Sequence, residues 1–570
     1  MEERNAVLYD GATIQEAIHS IDQAVSKGGE SGIAVVLDSK KVLQGVITDG
    51  DIRGAICKGI SFNKPVESIM SKYPVCIQRG FENNSARRIL SQLREKKVSV
   101  SNVVLVDEEN RYLDLLNINS LFLHDDVWHK KIAVYGLGFV GLTLALVLAE
   151  DGLFDVVGLD INKDVVNTLN SGKATFFEKG LQSLLEQTLS TEHLSILHAE
   201  SCEADVHIIS VGTPLDKDNK PDFSYLNIAA RNISKVLKEH DLVICRSTVP
   251  AGTTRKFLIP LLEQLSGLKA SKDFSVAFAP ERTVEGNALM ELRSLPQVVG
   301  GLTRNCVEKA SALFKKITRT VIPMESLEAA EIVKLINNTY RDVIFSFANE
   351  VSYLCDNYNL EALKLISAAN EGYPRNPIPM PSPGVGGICL SKDPYLYCYH
   401  EADNMFAPIN YGKYSRETNQ LGVEYVLHQI DRFMNMHPDI DATKVMIVGI
   451  AFKGKPETSD LRGSLAITLS KRLVNRGYSV SGFDAVVGAE EISKHGINPL
   501  SSLSEGFASC NIFLFMNNHE ENMNFELFSE LKRVNRPALF FDGWGQFNRN
   551  EIEDVPRMVY ATMGYITGKD

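Results

Sequence analysis

The sequence predicts an α/β chain: two Rossmann-like, doubly wound parallel sheets joined by a helical segment and preceded by a smaller α+β pair. Three observations carry this. Apolar β-branched runs alternate with helical patterns from Lys131 to about Pro323. The same alternation returns from about Asp441 to Asp570, and a β-turn-β-helix pattern occurs twice within residues 1–125. A chain of 570 residues exceeds a single hydrophobic core, and at roughly 100–200 residues per domain several domains are expected.

Bulk composition narrows the function classes. Hydrophobic residues make up 44% and charged residues 23%, an ordinary globular balance. A net charge of -12 argues against a nucleic-acid binder, whose footprint is a basic surface, but leaves room for a basic pocket holding a small anion. Met1 to Asp10 holds no apolar run, so no secretory signal is read there. The apolar stretch Ile132–Ala149 is interrupted by Gly136, Gly138 and Gly141 and is followed by Glu150 and Asp151. It reads as a buried strand running into a helix, with no membrane span. Nine cysteines without a CxxC pair read as reduced thiols in the cytoplasm, and no metal-ligand set is expected.

Residues 1–125 contain two similar units. The strand-like runs Ile33–Leu37 and Leu43–Ile47 lead into Asp51–Ile56, and Val103–Val106 and Leu113–Leu116 lead into Asn119–Leu123. The repeat resembles a pair of cystathionine-β-synthase (CBS) modules. That resemblance implies an adenine nucleotide between the halves, held by a Gly-x-x-Thr-x-x-Asp run that stands here as Gly45, Thr48 and Asp51 in GVITDGDIR. The second half has LLNINSL, without the Thr or Asp, so it implies one competent site at most. A module that serves assembly alone is the other reading.

Residues 131–323 are expected to form a dinucleotide-binding domain. GLGFVG follows the strand KIAVY and opens the helix LTLALVLAE. Gly136 permits the tight turn, Gly138 lets the backbone approach a pyrophosphate, and Gly141 allows close helix–strand packing. Phe139 and Val140, between the last two glycines, are expected at the cofactor with them. The helix N-terminus then offers free N–H groups to the phosphates. Asp160 ends the next strand about 20 residues on, where an acid accepts from the ribose hydroxyls and repels a 2′-phosphate. NAD is therefore expected over NADP, a preference that Lys163 nearby softens.

Residues 325–436 read as mostly helical. Ala329, Val333, Leu335 and Ile336 give a 3.6-residue stripe, continued by Ile344, Phe347, Val351 and Leu354, and the Pro- and Gly-rich stretch from Tyr373 to Gly387 is a loop. That loop ends in Gly384, Gly386 and Gly387 just before Cys389. A thiol at a helix start with Lys392 one turn on is expected to have a lowered pKa; a small core cysteine is the alternative. Residues 441–570 return to α/β alternation with KVMIVGIAF, YSVSGFD, NIFLFMN and ALFFDGW.

Taken in order, GLGFVG, VGTPLD (211–216), RSTVPAGTT (246–254), APERTVEG (279–286), EIVKLINN (331–338), GVGGICLSKD (384–393) and GIAFKGKPETSDLRGS (449–464) resemble the nucleotide-sugar 6-dehydrogenases, a family that includes the UDP-glucose, GDP-mannose and UDP-N-acetylhexosamine dehydrogenases. The resemblance spans nearly all of residues 131–570. It implies an NAD-dependent, two-step, four-electron oxidation of a UDP-hexose to the uronic acid, supplying surface polysaccharide precursors. Cys389 then matches the covalent nucleophile and Lys334 the oxyanion-stabilising lysine, with Asn338 one helical turn on. Thr248, Glu281 and Glu285 match positions that handle the proton and the hydrolytic water, and Asp393 the carboxylate beside the nucleophile. Thr213, Thr248 and Glu285 are also expected near the cofactor. Lys334, Asn338, Arg375, Gly386, Lys453 and Arg462 are expected on the substrate. Arg375 matches an arginine that reaches a neighbouring subunit's site, which implies a homodimer or a higher homo-oligomer.

The loop PGVGGIC is closer to the PGxGGHC form of the N-acetylhexosamine branch than to the FGGSC form of the glucose branch, and APER points the same way. Ile388 in place of the branch's histidine, and SKDP after Cys389, depart from it. The expected substrate is a UDP-N-acetylhexosamine of manno, gluco or galacto form, with UDP-glucose and GDP-mannose as alternatives. A single-step β-hydroxyacid dehydrogenase needs neither the cysteine nor residues 441–570, and a non-catalytic nucleotide sensor needs neither Cys389 nor Lys334.

Overall fold

The computed structural model describes residues 5–26, 32–72, 74–78, 102–107, 109–117, 130–375, 377–399, 409–440 and 443–568. It divides into two compact units, Met1–His129 and Lys130–Asp570. Among the described residues, no helix is long and apolar enough to cross a membrane.

The first unit uses one small topology twice. Ala6–Tyr9 pairs parallel with Ile33–Leu37, which pairs antiparallel with Leu43–Thr48. Cys76–Gln78 pairs parallel with Asn102–Val106, which pairs antiparallel with Tyr112–Asn117. Side chains alternate across a strand. Ile33, Val35 and Leu37 therefore meet Val104, Val106 and Leu115 of the other sheet, while Ala34 and Val36 meet Ile14, Ala17 and Ile21 of the helix Ile14–Ser26. The helix Asp49–Cys57 begins with a capping box: the Asp51 N–H donates to Thr48 Oγ1, and the Asp51 carboxylate accepts from the Thr48 N–H at 2.9 Å. The stretch expected to continue at Asn119–Leu123 lies outside the described residues.

In the second unit, the apolar runs that are buried on both faces become parallel strands. One sheet has the order Val321–Pro323, Gln297–Gly301, Ser275–Phe278, Leu242–Cys245, Val206–Ile209, Lys131–Tyr135, Asp155–Leu159, Leu194–Leu197; only the pair of Gln297–Gly301 with Ser275–Phe278 is antiparallel. The strand order reverses beside Lys131–Tyr135, which puts a crevice at the carboxyl ends of that strand and Val206–Ile209. A second sheet has Lys444–Val448 at its centre, between Ser479–Phe483 and Ile512–Phe515, and its own reversal lies there.

Between the sheets run the helix Leu327–Asp356, the short helix Ile388–Cys398 and the helix Tyr411–Met436. Here the expected apolar stripe is overturned. Leu335 is buried, but Ile336, Phe347 and Leu354 are exposed, while Glu331, Lys334, Asn338, Asp342, Asn349 and Asp356 are buried. The helix turns a polar face to the protein because its partners there are polar: Asn349 bonds Asn419, and Arg416 and Arg432 pair with Asp342 and Asp356.

Candidate active site

The cofactor crevice lies where the strand order reverses. A cavity of about 220 Å³ is lined by Gly136, Gly138, Asp160, Ser210, Gly212 and Tyr225, among others. Gly136 adopts φ +92°, and a Cβ at Gly141 would lie 1.8 Å from the Gly136 carbonyl oxygen, so only glycine lets the helix Phe139–Ala149 seat against the strand. A Cβ at Gly138 would meet nothing within 4 Å, leaving its face open toward the cavity. Gly138 caps that helix without a side-chain bond, so the terminal N–H groups stay available to a phosphate. The Asp160 carboxylate accepts from the Leu137 N–H at 2.8 Å and the Asn162 N–H at 2.8 Å, which aims it across the turn. The buried Ser210 and Thr213 hydroxyls have no protein partner. This acceptor, these free donors and the glycine cradle fit a dinucleotide. Phe139 packs against Phe176, and Val140 is only half-buried; Lys163 is exposed at a helix start and does not line the cavity.

The reacting groups come from three directions. Lys334 and Asn338, one turn apart on the long helix, are both buried; Lys334 Nζ lies 3.8 Å from Glu281 Oε2. Glu281 ends the strand side of the APER loop, and its other oxygen accepts from the Thr283 N–H. Asn338 Nδ2 donates to Asp393 Oδ2 at 2.6 Å, and Lys392 Nζ donates to Asp393 Oδ1 at 2.5 Å. Asp393 and Cys389 share the helix Ile388–Cys398, whose cap, Gly387, has φ +84°. The Asn338–Asp393 hydrogen bond thus joins the long helix, one turn from Lys334, to the cysteine helix.

The thiol itself differs from expectation. Cys389 keeps an exposed surface, yet its thiol is pushed up to about 11, by loss of hydration first and then by the Asp393 carboxylate, against the pull of Lys334 and Lys392. One open side is enough for accessibility, whereas desolvation responds to everything packed around the rest. The expected lowering fails because burial outweighs the nearby cations, and Lys392 is moreover paired with Asp393. The helix start brings the thiol a carboxylate as well as a cation.

Glu285 is also perturbed. Burial and the neighbouring Asp460 raise it to about 7, against the pull of Lys453 and Arg462. Lys453 Nζ donates to the Glu285 carbonyl at 2.7 Å, and Arg462 Nη2 lies 3.9 Å from Glu285 Oε1. Both cations belong to the loop at the reversal point of the second sheet, so that domain reaches into the site. Thr248 is half-buried; its loop is tied to the long helix by Glu331, which accepts from the Gly252 and Thr254 N–H groups. Gly386 allows a close approach, because a Cβ there would lie 2.5 Å from the Gly463 carbonyl. Arg375 is exposed, stacked over Tyr373, and is not brought to Cys389 within the protomer.

Beside Lys334 and Asn338 opens a second cavity, of about 380 Å³, lined also by Arg282, Asn337, Tyr340 and Arg341. The sequence reading missed these four. The spacing Lys334, Asn338, Arg341 repeats one helix face at i, i+4 and i+7, a signal that was available for Arg341; Arg282 and Asn337 carried none.

With this geometry in view, comparison with known proteins decides the family. The NAD binding domain of the UDP-glucose/GDP-mannose dehydrogenase family matches residues 130–318, its central domain 328–420 and its UDP binding domain 446–549. The chain belongs to that family. It is an NAD-dependent nucleotide-sugar dehydrogenase. A UDP-N-acetyl-D-mannosamine dehydrogenase of Campylobacter jejuni is 35% identical over 357 residues, covering 61% of this chain and 85% of the relative. An NDP-N-acetyl-D-galactosaminuronic acid dehydrogenase of Ralstonia nicotianae is 35% identical over 357 residues, covering 62% and 82%. The solved structure of a UDP-D-ManNAc dehydrogenase from Pyrococcus horikoshii superposes with TM-score 0.68 at 30% identity, covering 76% of this chain and 99% of the other. The family's three matched domains hold the cofactor crevice, the Lys334–Cys389 cluster and the loop of Lys453 and Arg462, in that order.

Proposed function

We propose that the chain oxidises the C6 alcohol of a UDP-N-acetylhexosamine to the uronic acid in two steps through a thioester on Cys389. The observation that carries this reading is the placing of buried Lys334 one turn from Asn338, whose hydrogen bond to Asp393 ties the long helix to the helix Ile388–Cys398 that carries Cys389. The PGVGGIC loop, and relatives that act on N-acetylated sugars, support that substrate class.

NAD, when bound, takes the two hydrides of the four-electron oxidation. The protein supplies the rest. Lys334 holds a preorganised positive charge where the C6 oxygen becomes negative, and burial beside Glu281 keeps the interaction strong. Asn338 uses one N–H on Asp393 and keeps the second for the same oxygen. Once the alcohol has lost hydride and proton, the Cys389 sulfur adds to the aldehyde carbon, its proton passes to a carboxylate, and the carbonyl C=O opens to a thiohemiacetal alkoxide that Lys334 holds. Loss of the second hydride leaves the thioester. Water then attacks its carbonyl carbon, the C–S bond breaks, and the thiol is restored. Glu285, poised near neutrality, is the base for that water, with Thr248 and Glu281 placing the proton path. Lys453 and Arg462 take the diphosphate; the guanidinium suits bidentate phosphate contact.

Purified protein incubated with UDP-N-acetylhexosamines and NAD should form two NADH per sugar consumed. One NADH per sugar, or none with any UDP- or GDP-hexose, would overturn the reading. Cys389→Ala should abolish uronate while NAD binding survives.

The first unit supports a second role. Its two sheets repeat one topology, and Thr48 and Asp51 stand at a helix start, as a CBS pair holding an adenine nucleotide requires. AMP, ADP or ATP should then shift the melting temperature, and Asp51→Ala should abolish the shift; no shift with any of them leaves assembly as the module's role.

A further inference from the structure

The loop that delivers Cys389 has no regular structure of its own from Ser382 to Gly387, yet its polar backbone is held from below by a buried lattice. Arg416, 2% exposed, donates to Asp342 Oδ1 at 2.6 Å and to the Val385 carbonyl at 3.2 Å. Asp342, fully buried, also accepts from Ser415 Oγ at 2.6 Å and Asn419 Nδ2 at 2.8 Å. Asn419 Oδ1 accepts from Asn349 Nδ2 at 2.8 Å, and Asn349 Oδ1 accepts from the Ser382 N–H at 2.9 Å. Ser382 Oγ donates to the Gly384 carbonyl at 3.0 Å. The loop therefore hangs on two hooks, Arg416 at Val385 and Asn349 at Ser382, both referred to the long helix.

That helix also carries Lys334 and Asn338. Asp342 follows Asn338 by one turn and lies about 12 Å along the axis from Lys334, at about 1.5 Å per residue. The remaining side of the loop is closed by contact. A Cβ at Gly384 would lie 2.7 Å from the Asn419 carbonyl, and one at Gly387 2.7 Å from Phe452. A buried ion pair is a poor source of stability, since well-packed apolar residues of similar volume often do as well or better. Its value here is geometric.

We propose that the buried Asp342–Arg416 pair, with Asn349, positions the loop before Cys389, so that the helix carrying Lys334 also sets where the thiol meets the substrate carbon. These are positioning residues: none of them lines the cavity beside Lys334. The inference rests on the thioester reading above. Misplacing a nucleophile by about 1 Å can cost on the order of a hundredfold in rate. The first oxidation depends chiefly on Lys334 of the long helix; addition of sulfur to the aldehyde depends directly on where the loop places the thiol.

The test is single-turnover NADH formation with the full-length enzyme, NAD and a UDP-N-acetylhexosamine, comparing wild type with Asp342→Leu/Arg416→Met, which removes both charges together, and with Asn349→Ala. Hydroxylamine traps the aldehyde as a direct readout. The expected result is a first phase within about threefold of wild type, a second phase slowed at least about tenfold in the double variant, and more trapped aldehyde. Equal slowing of both phases, or no slowing of the second in folded protein, overturns the proposal. If the double variant does not fold, Asn349→Ala decides by the same criterion. Wild type yielding fewer than two NADH, or Cys389→Ala still yielding two, would instead overturn the thioester reading.

Discussion

At the scale of single residues, the site separates two titrating groups by environment. Cys389 is a thiol at rest because desolvation and Asp393 both favour the proton, raising it to about 11. Alkylation of Cys389 by iodoacetamide, followed by peptide mass spectrometry, should accelerate steadily from neutral pH toward that value. Asp393→Asn removes the second cause and should raise the alkylation rate several-fold at pH 8; an unchanged rate would mean the carboxylate does not act on the thiol. Glu285 sits near 7 because burial and Asp460 outweigh Lys453 and Arg462. A base must be unprotonated to act, so kcat/KM should rise with pH through a limb near 7. Glu285→Gln should remove that limb and lower kcat by on the order of a hundredfold.

At the scale of the element, the helix Leu327–Asp356 is a ruler with a polar edge. Glu331 fastens it to the loop after Thr248, and burial raises that carboxyl to about 7 in spite of the Gly252 and Thr254 N–H donors. The folded state therefore holds this proton more tightly than the unfolded chain. The group's contribution to stability is present in full below about pH 4.5 and is lost as pH rises through about 7. Glu331→Gln keeps an acceptor and cannot ionise. Urea midpoints should show wild type losing stability relative to this variant between those two pH values; parallel pH profiles would disprove it.

At the scale of the whole molecule, the same helix shows an apolar edge to solvent. Tyr340 is 64% exposed, Phe347 51% and Leu354 59%, spaced to share one face. An apolar face of this length is expected to be covered, and we propose a second copy of the chain as its occupant. Phe347→Asp should shift sedimentation from dimer toward monomer and reduce activity at low protein concentration. A variant that sediments as wild type would place the interface elsewhere.

Much of the chain was legible before any coordinates. The glycines of GLGFVG, Asp160 at the end of the following strand and the double α/β alternation are local patterns, because turn geometry and burial on both faces of a strand constrain residue type directly. The pairing of Lys334 with Asn338 follows from helical spacing alone. Three things waited for the tertiary structure. The apolar stripe of the long helix faces outward because Arg416 and Arg432, far along the chain, offer charges to its polar edge. The thiol is raised because Asp393 and the packing around the sulfur act through space, where sequence order showed only Lys392. Arg282, Asn337 and Tyr340 line the cavity beside Lys334 only once the APER loop folds against the helix. Residue type and spacing determined which groups do the chemistry; their charge states and outward faces were decided by neighbours that only folding supplies.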